Sequence, residues 1–332
     1  MRIGVIGAGS WGTTVANLLA ENGHELMLWA REPEVVQSIN TSRENTVFLP
    51  GHSLHRSLGA CGTIGPVVQN AELVVIATPS HAVRPTARQL AECLDGRMVP
   101  LVSISKGLEP DTHKLVTEVL EEVIPGATTV AVSGPSFAQE VCRHMPTAVV
   151  ASSADPRAAD TVQQAASNRY FRVYTGGDVV GVQLGGALKN VIAIATGLLD
   201  GMGLGHNTRA ALITRGLAEM TRLGERMGAL AHTFAGLAGM GDLILTSTGD
   251  LSRNRTLGID LGRGRSLQEI LGERKTVAEG VNTAKAAVEL ANQLDVELPI
   301  AREVESILFH DKAPRDAIDA LMGRELKAET WR

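Results

Sequence analysis

The sequence predicts an α/β domain with a mostly parallel sheet, followed by an all-α domain. Three observations carry this. Residues 2–6 form an apolar run that opens directly into Gly7-Ala8-Gly9-Ser10-Trp11-Gly12. Further short apolar runs, bounded by polar turns and separated by helical stretches, continue through residue 174, as expected for strands buried on both faces. From residue 179 onward the apolar residues recur at the 3.6-residue helical period and no strand pattern is found. The boundary predicted is therefore 1–178 for the first domain and 179–332 for the second.

The opening unit is read as strand, glycine turn, helix from residue 13 to 20, and a second strand at residues 25–29. Gly7, Gly9 and Gly12 have the G-x-G-x-x-G spacing of a Rossmann-like dinucleotide site. The first glycine makes the tight turn, the second admits a pyrophosphate, and the third lets helix and strand pack closely. Unpaired N–H groups and the helix dipole favour an anion at the start of the helix. An ordinary turn in a parallel sheet is the alternative, but strand and helix stand on the two sides that the motif requires. At the end of the second strand, where an acidic residue would hold the ribose of NAD, the chain has Arg31 followed by Glu32. A guanidinium suits a 2′-phosphate and a carboxylate repels one, so NADP is favoured over NAD. Arg31 could also stack on adenine or point to solvent.

Apolar runs at 73–77, 98–104 and 128–132 end in Thr78-Pro79-Ser80, Ser105-Lys106-Gly107 and Ser133-Gly134-Pro135-Ser136. Ligands of open α/β sheets bind beyond the carboxyl ends of the strands, so these turns are expected to face the cofactor. Runs at 147–151 and 170–174 add two strands, and 113–123 reads as a helix. In the second half, helices are predicted at 182–199, 208–227, 266–271, 281–294 and 300–309.

Composition narrows the class of partner. The 332 residues carry 31 basic and 36 acidic side chains, a net charge of −5, which gives no reason to expect nucleic acid or an anionic membrane. No apolar run is read as reaching the about 18 residues that span a bilayer. No secretion signal is expected, since the N-terminus enters a strand directly. Cys61, Cys93 and Cys142 are odd in number and lack a C-x-x-C spacing, which predicts free thiols in a reducing compartment.

The chemistry is expected in the second half. The helix around residues 181–196 is apolar nearly all round, with Lys189 and Asn190 in its middle. A buried ammonium must be paired or shifted toward neutrality, and such a lysine exchanges protons near neutral pH. The alternative is a lysine whose stem packs while its amine reaches water. Lys106 would depress that pKa further or bind an anion, unless it is simply a turn lysine. Asp242, between glycines and apolar residues, needs a cationic or hydroxyl partner. Arg253 can fork onto a phosphate with Ser252 and Asn254 adding donors; a solvated loop or helix start is the alternative. Glu279 fits a ribose or amide contact, or a first-turn helix acid. The histidines show no metal-ligand spacing, and no metal is expected.

These motifs together resemble the NAD(P)-dependent glycerol-3-phosphate dehydrogenases of the bacterial soluble type. The resemblance rests on Gly7–Thr13, Asn45-Thr-Val-Phe-Leu-Pro-Gly51, Ser105-Lys-Gly-Leu-Glu109, Gly134-Pro-Ser-Phe-Ala-Gln-Glu140, Gly186-Ala-Leu-Lys-Asn190, Asn207-Thr-Arg-Ala-Ala-Leu212, Gly239-Met-Gly-Asp242, Ser252-Arg-Asn254 and Ala278-Glu-Gly280. It covers nearly the whole chain. Phe48 stands where the family often has Tyr, and residues 59–65 fit the pattern poorly. The resemblance implies that Ser10, Trp11 and Arg31 line the adenosine and pyrophosphate site, and that Lys106 touches both cofactor and substrate. It implies that Gly134 and Ser136 contact substrate and Ala138 the cofactor. Lys189 would be the acid/base and also contact substrate. Asp242, Ser252, Arg253 and Asn254 would hold the glycerol phosphate, while Arg253, Val277 and Glu279 close on the dinucleotide. The implied reaction is reduction of dihydroxyacetone phosphate with NADPH or NADH, in the cytoplasm, at the entry to glycerophospholipid synthesis. The partners are then a small-molecule substrate, with neither nucleic acid nor membrane, and a homodimer is a compatible assembly. Two other readings are a 3-hydroxy acid dehydrogenase, against which the Ser252-Arg253-Asn254 cluster argues, and a non-catalytic dinucleotide sensor, against which Lys189 argues.

Overall fold

Ten strands form in the computed structural model, which describes residues 1–273, 278–326 and 328–329. They are β1 (Arg2–Ile6), β2 (Glu25–Trp29), β3 (Glu44–Asn45), β4 (Leu49–Ser53), β5 (Gly59–Cys61), β6 (Leu73–Ile76), β7 (Leu101–Ser103), β8 (Thr129–Ser133), β9 (Thr147–Ser152) and β10 (Phe171–Gly176). Eight of them make one sheet in the order β10-β9-β8-β7-β6-β1-β2-β5. From β5 to β8 this is the doubly wound order in which a dinucleotide lies across the switch between β1 and the strand on its far side, here β6. The apolar runs are continuous because β6 and β7 are buried at every residue. Helices Ser10–Glu21 and Pro156–Ala166 cover one face, and Val83–Leu94 and Val116–Val123 the other, each over its own apolar cluster.

Two strands depart from a wholly parallel sheet: β9 and, beside it, β10 run opposite to the other six. β9 runs antiparallel to β8, while the other neighbouring pairs are parallel. A parallel return usually needs a substantial helix to cross the sheet, and only the short helix Ala138–Cys142 lies between these strands. β9 therefore starts on the edge where β8 ends, so Gly134, Ser136 and Ala138 stay at the carboxyl edge. Smaller differences concern ends. The first helix begins at Ser10 rather than at residue 13, with Gly9 as its N-cap. The stretch expected to be helical from residue 113 starts at Val116, because His113 has φ of +57°.

The second half is built on helix Val179–Gly201, whose residues from Gly181 to Leu199 are all buried. Its start is pinned by Asp178, whose Oδ1 accepts from the Gly181 amide at 2.8 Å and whose Oδ2 accepts from the Leu230 amide and the Thr233 hydroxyl. By length and composition this 23-residue helix could cross a membrane, with mean hydropathy 1.4, so the expectation that no segment qualifies does not hold. Lys189 and Asn190 interrupt the apolar run in the middle of the helix. Of its most apolar stretch, 89% is buried inside the protein. It packs backbone to backbone on helix Arg253–Gly262. A Cβ on Gly197 would lie 2.1 Å from the Arg255 carbonyl oxygen, and one on Gly258 would lie 2.1 Å from that of Ile194. Gly201 and Gly262 repeat the contact one turn on. Helices His206–Arg226, Leu267–Glu273, Glu279–Gln293 and Pro299–Phe309 match the predicted set within a few residues. Helices Asp242–Thr248 and Pro314–Met322 are not predicted by the sequence, and Arg253–Gly262 only as a helix start, all being too short or too mixed for periodicity to mark.

Candidate active site

The glycine turn has the three properties its spacing predicts. Gly7 has φ of +117°, and a Cβ there would sit 2.8 Å from the Ala77 carbonyl carbon at the end of β6. Nothing lies within 4 Å of a Cβ built on Gly9, so that side of the turn is open, whereas one on Gly12 would collide with the Gly7 carbonyl at 2.0 Å. The cradle thus fits a pyrophosphate in front of the first turn of helix Ser10–Glu21. The Ser10 hydroxyl donates to the Phe48 carbonyl, and Trp11 packs half-buried against the core under that helix. Arg31 lies two residues past β2 with its side chain 82% exposed, and its guanidinium forks onto one Glu32 oxygen at 2.8 and 3.1 Å.

At the same edge, Lys106 follows β7 and reaches into the second half. Its Nζ donates to the Gly134 carbonyl at 2.9 Å and to Asp242 Oδ2 at 2.6 Å. Gly134, at φ +141°, presents that carbonyl, which also accepts from the Ser136 hydroxyl at 2.9 Å. Asp242 comes directly after a π-helical turn, Leu237–Gly241, and opens helix Asp242–Thr248. Its other oxygen, Oδ1, accepts from Lys189 Nζ at 2.8 Å. Two ammoniums therefore share one buried carboxylate, leaving an excess positive charge suited to an anionic substrate.

The electrostatics follow from that arrangement. Burial pushes Lys189 down to about 8; Asp242 opposes the shift, and the charges of Lys106 and Arg253 add to it. Burial alone would raise the Asp242 carboxyl, but Lys106 and Lys189 outweigh it and hold it below the usual carboxylate range. Thr246 completes the centre, accepting from Lys189 Nζ at 2.7 Å. Thr246 was not anticipated from the sequence. Its signal was its place four residues after Asp242, on one face of a helix that was itself not expected.

A second polar chain joins the phosphate cluster to the core helix. Ser252 is the N-cap of helix Arg253–Gly262, its hydroxyl accepting from the Arg255 amide. Asn254 donates to Asn190 Oδ1 at 2.9 Å and accepts from the Gly280 amide at 3.0 Å. Arg253 is an exposed residue in the first turn of that helix, so the helix-start reading of this stretch holds. Glu279 opens helix Glu279–Gln293 and accepts from the Ser80 hydroxyl, just after β6, at 2.8 Å; burial raises its carboxyl. Val277 lies outside the described residues. Lys106, Gly134, Lys189, Asp242 and Thr246 thus form one contiguous set, and Asn190, Asn254 and Gly280 another that shares the core helix. Arg31 stands apart, across β1 and β6 from Lys106.

Comparison with known proteins agrees with this geometry. The family model described as NAD-dependent glycerol-3-phosphate dehydrogenase N-terminus matches residues 2–159, and the corresponding C-terminus model matches residues 178–319. The chain is 55% identical over 331 residues to a glycerol-3-phosphate dehydrogenase (NAD(P)+) of Geobacter metallireducens, covering 99% of this chain and 98% of that one. A relative of the same name from Koribacter versatilis is 51% identical over 335 residues, covering 99% of both. The crystal structure of glycerol-3-phosphate dehydrogenase from Coxiella burnetii superposes with a TM-score of 0.94 at 35% identity, over 97% of this chain and 98% of that one. Sheet, switch point, the two lysines on a buried carboxylate and the relatives point the same way, and the chain belongs to the NAD-dependent glycerol-3-phosphate dehydrogenase family.

Proposed function

We propose that this chain interconverts dihydroxyacetone phosphate and sn-glycerol 3-phosphate, using NADPH or NADH, with Lys189 as acid/base. The observation that carries the reading is the Lys189–Asp242–Lys106 cluster, with Lys189 and Asp242 buried and Lys189 poised near neutral pH. When bound, the dinucleotide supplies the hydride that adds to the ketone carbon. Lys189 donates a proton from Nζ to the oxygen that becomes the alcohol, and takes it back in the reverse direction. Asp242 holds the two ammoniums at fixed positions, and Lys106 adds positive charge at the cofactor edge. Asp242, Ser252, Arg253 and Asn254 fix the glycerol phosphate, so that binding energy remote from the carbonyl positions it.

Around that centre, Gly134 and Ser136 contact substrate. Gly7, Gly9, Ser10, Trp11, Gly12, Arg31 and Ala138 form the cofactor side, which Arg253, Val277 and Glu279 close. The division at residues 178 and 179 separates a cofactor half from a catalytic helical half. A cytoplasmic enzyme that feeds glycerophospholipid synthesis suits the three free thiols and NADPH as reductant. A homodimer is the proposed assembly.

The test follows the oxidation of NADPH and of NADH with dihydroxyacetone phosphate by absorbance, with glyceraldehyde 3-phosphate as control. Turnover with the ketone alone supports the reading, and turnover well above the NADH rate with NADPH supports Arg31 as a 2′-phosphate contact. A folded protein that binds dinucleotide and turns over neither cofactor would end the dehydrogenase reading.

A further inference from the structure

Of the blocks that carry the family resemblance, Asn45-Thr-Val-Phe-Leu-Pro-Gly51 enters the site described above only through the Phe48 carbonyl, which accepts from Ser10. In the structure it is the hairpin of β3 and β4, and it is tied to the glycine turn by side chains. Asn45 is fully buried, at 0% exposure. Its Nδ2 donates to the Ala8 carbonyl at 2.8 Å and to Thr13 Oγ1 at 2.8 Å. Its Oδ1 accepts from the Phe48 amide at 3.0 Å. Both amide hydrogens and the carbonyl are therefore used, and only an asparagine supplies that pattern at this length. Thr13, also at 0% exposure, donates to the same Ala8 carbonyl at 3.1 Å. The Ser10 hydroxyl closes the tie from the other direction, onto Phe48.

The consequence follows from peptide geometry. In a trans peptide the C=O of one residue and the N–H of the next lie in one plane and point in opposite directions. Two donors draw the Ala8 oxygen into the protein. The Gly9 N–H is therefore turned outward, toward the side of the turn where no atom lies within 4 Å of Gly9's Cβ position. That is the side on which a pyrophosphate meets the helix start. Without the Asn45 donor, the Ala8–Gly9 peptide is held by the Thr13 hydroxyl alone and is freer to rotate its N–H away from the anion.

We propose that Asn45 is a positioning residue for the cofactor: it fixes the Ala8–Gly9 peptide so that the Gly9 amide is aimed at the pyrophosphate. The inference rests on the dinucleotide reading of the site, and its test does not depend on turnover. Dissociation constants for NADPH, NADH and ADP-ribose are measured by calorimetry on the wild type, Asn45→Ala and Asn45→Asp, the last placing a carboxylate oxygen against the Ala8 carbonyl. The three ligands share the pyrophosphate, so each should lose affinity by the same factor, about tenfold for a lost buried donor. The KM for dihydroxyacetone phosphate and kcat at saturating NADPH should stay within about threefold of wild type, a margin small beside the tenfold step. A merely structural Asn45 would lower the melting temperature without this split. Thr13→Val and Thr13→Ser provide a second pair if the Asn45 variants do not fold: the valine removes Asn45's hydroxyl partner and should weaken all three ligands, while the serine retains it and should restore them. Folded Asn45→Asp with wild-type affinity for NADPH, or a KM for the ketone that rises in step with the cofactor constants, would overturn the proposal. A wild type that binds none of the three ligands would instead overturn the dinucleotide reading beneath it.

Discussion

Two regions of the helical half bury ionised groups and solve the same problem differently. At the centre, Lys106 and Lys189 both pair with the one Asp242 carboxylate, on elements from both halves of the chain. On helix His206–Arg226, Glu219 is buried at 5% exposure, and its hydrogen bonds are to backbone: the Ile300 and Ala301 amides, at 2.7 and 3.2 Å, at the start of helix Pro299–Phe309. Opposite charge keeps Asp242 ionised well below the usual carboxylate range. For Glu219 burial dominates and pushes the carboxyl up to about 7, although the amides, Arg222 and Arg324 pull it down. Helix-end amides satisfy lone pairs, but they offset less of the desolvation cost than a full counter-charge does. In the proposed function the centre needs its charges for chemistry, whereas the Glu219 carboxyl holds the start of a helix.

Four changes would sharpen or break that contrast. The largest effect is expected of Lys189→Ala, which removes the proton donor and should lower kcat by about 10²–10⁴-fold, with NADPH affinity retained in equilibrium binding. A variant with near-normal kcat would remove Lys189 from the role. Next comes Asp242→Asn, which leaves two adjacent ammoniums without their carboxylate. We predict a loss of about 100-fold in kcat/KM and a Lys189 pKa below its present value, since the group that raises it is gone; a pH–rate profile reads both, and an unmoved profile would show that Asp242 does not control the lysine.

The third is the profile of the wild type itself. Ketone reduction needs protonated Lys189, so its rate should fall as pH rises through about 8. Alcohol oxidation needs the free amine and should rise through the same pH. Parallel profiles in the two directions would assign the titration to another group. The smallest effect belongs to Glu219. Its carboxyl is raised from 4.5 to about 7 on folding, so its favourable contribution is complete below pH 4.5 and is lost as pH rises through 7. That difference is on the order of 3 kcal/mol. Glu219→Gln should flatten the dependence of melting temperature on pH between these values by a few degrees. An unchanged slope would mean that the amides compensate the charge fully.

Much of this was legible in the sequence, and the omissions have a common cause. The glycine spacing, the switch-point strands and Lys189 could be read because each is a local pattern: a turn between strand and helix, or a charge in a wholly apolar helix. Asn45, Thr246 and Asn190 could not be assigned roles because their meaning lies in partners distant along the chain. Asn45 acts on a residue 37 positions away, and Thr246 on one 57 positions away. The reversed direction of β9 and β10 is not legible because an apolar run has no direction. The Arg31–Glu32 pair shows the opposite limit: adjacent residues were noted, yet which of them faces a ribose depends on an exposed side chain that local pattern does not orient.

The glycine seam between helices Val179–Gly201 and Arg253–Gly262 bears on how such an enzyme changes its diet. In the proposed function, the spacing between the proton donor, Lys189, and the phosphate anchor, the Ser252–Asn254 turn, depends on the seam where main chain meets main chain, at Gly197 against Gly258 and Gly201 against Gly262. No side chain there can be exchanged for a longer or shorter one to adjust the gap, and any Cβ would push the helices apart. Substrates one carbon longer or shorter would have to be accommodated by the Ser252–Asn254 turn, and the seam makes the length of the three-carbon phosphate a property of the backbone, which point mutation reaches least easily.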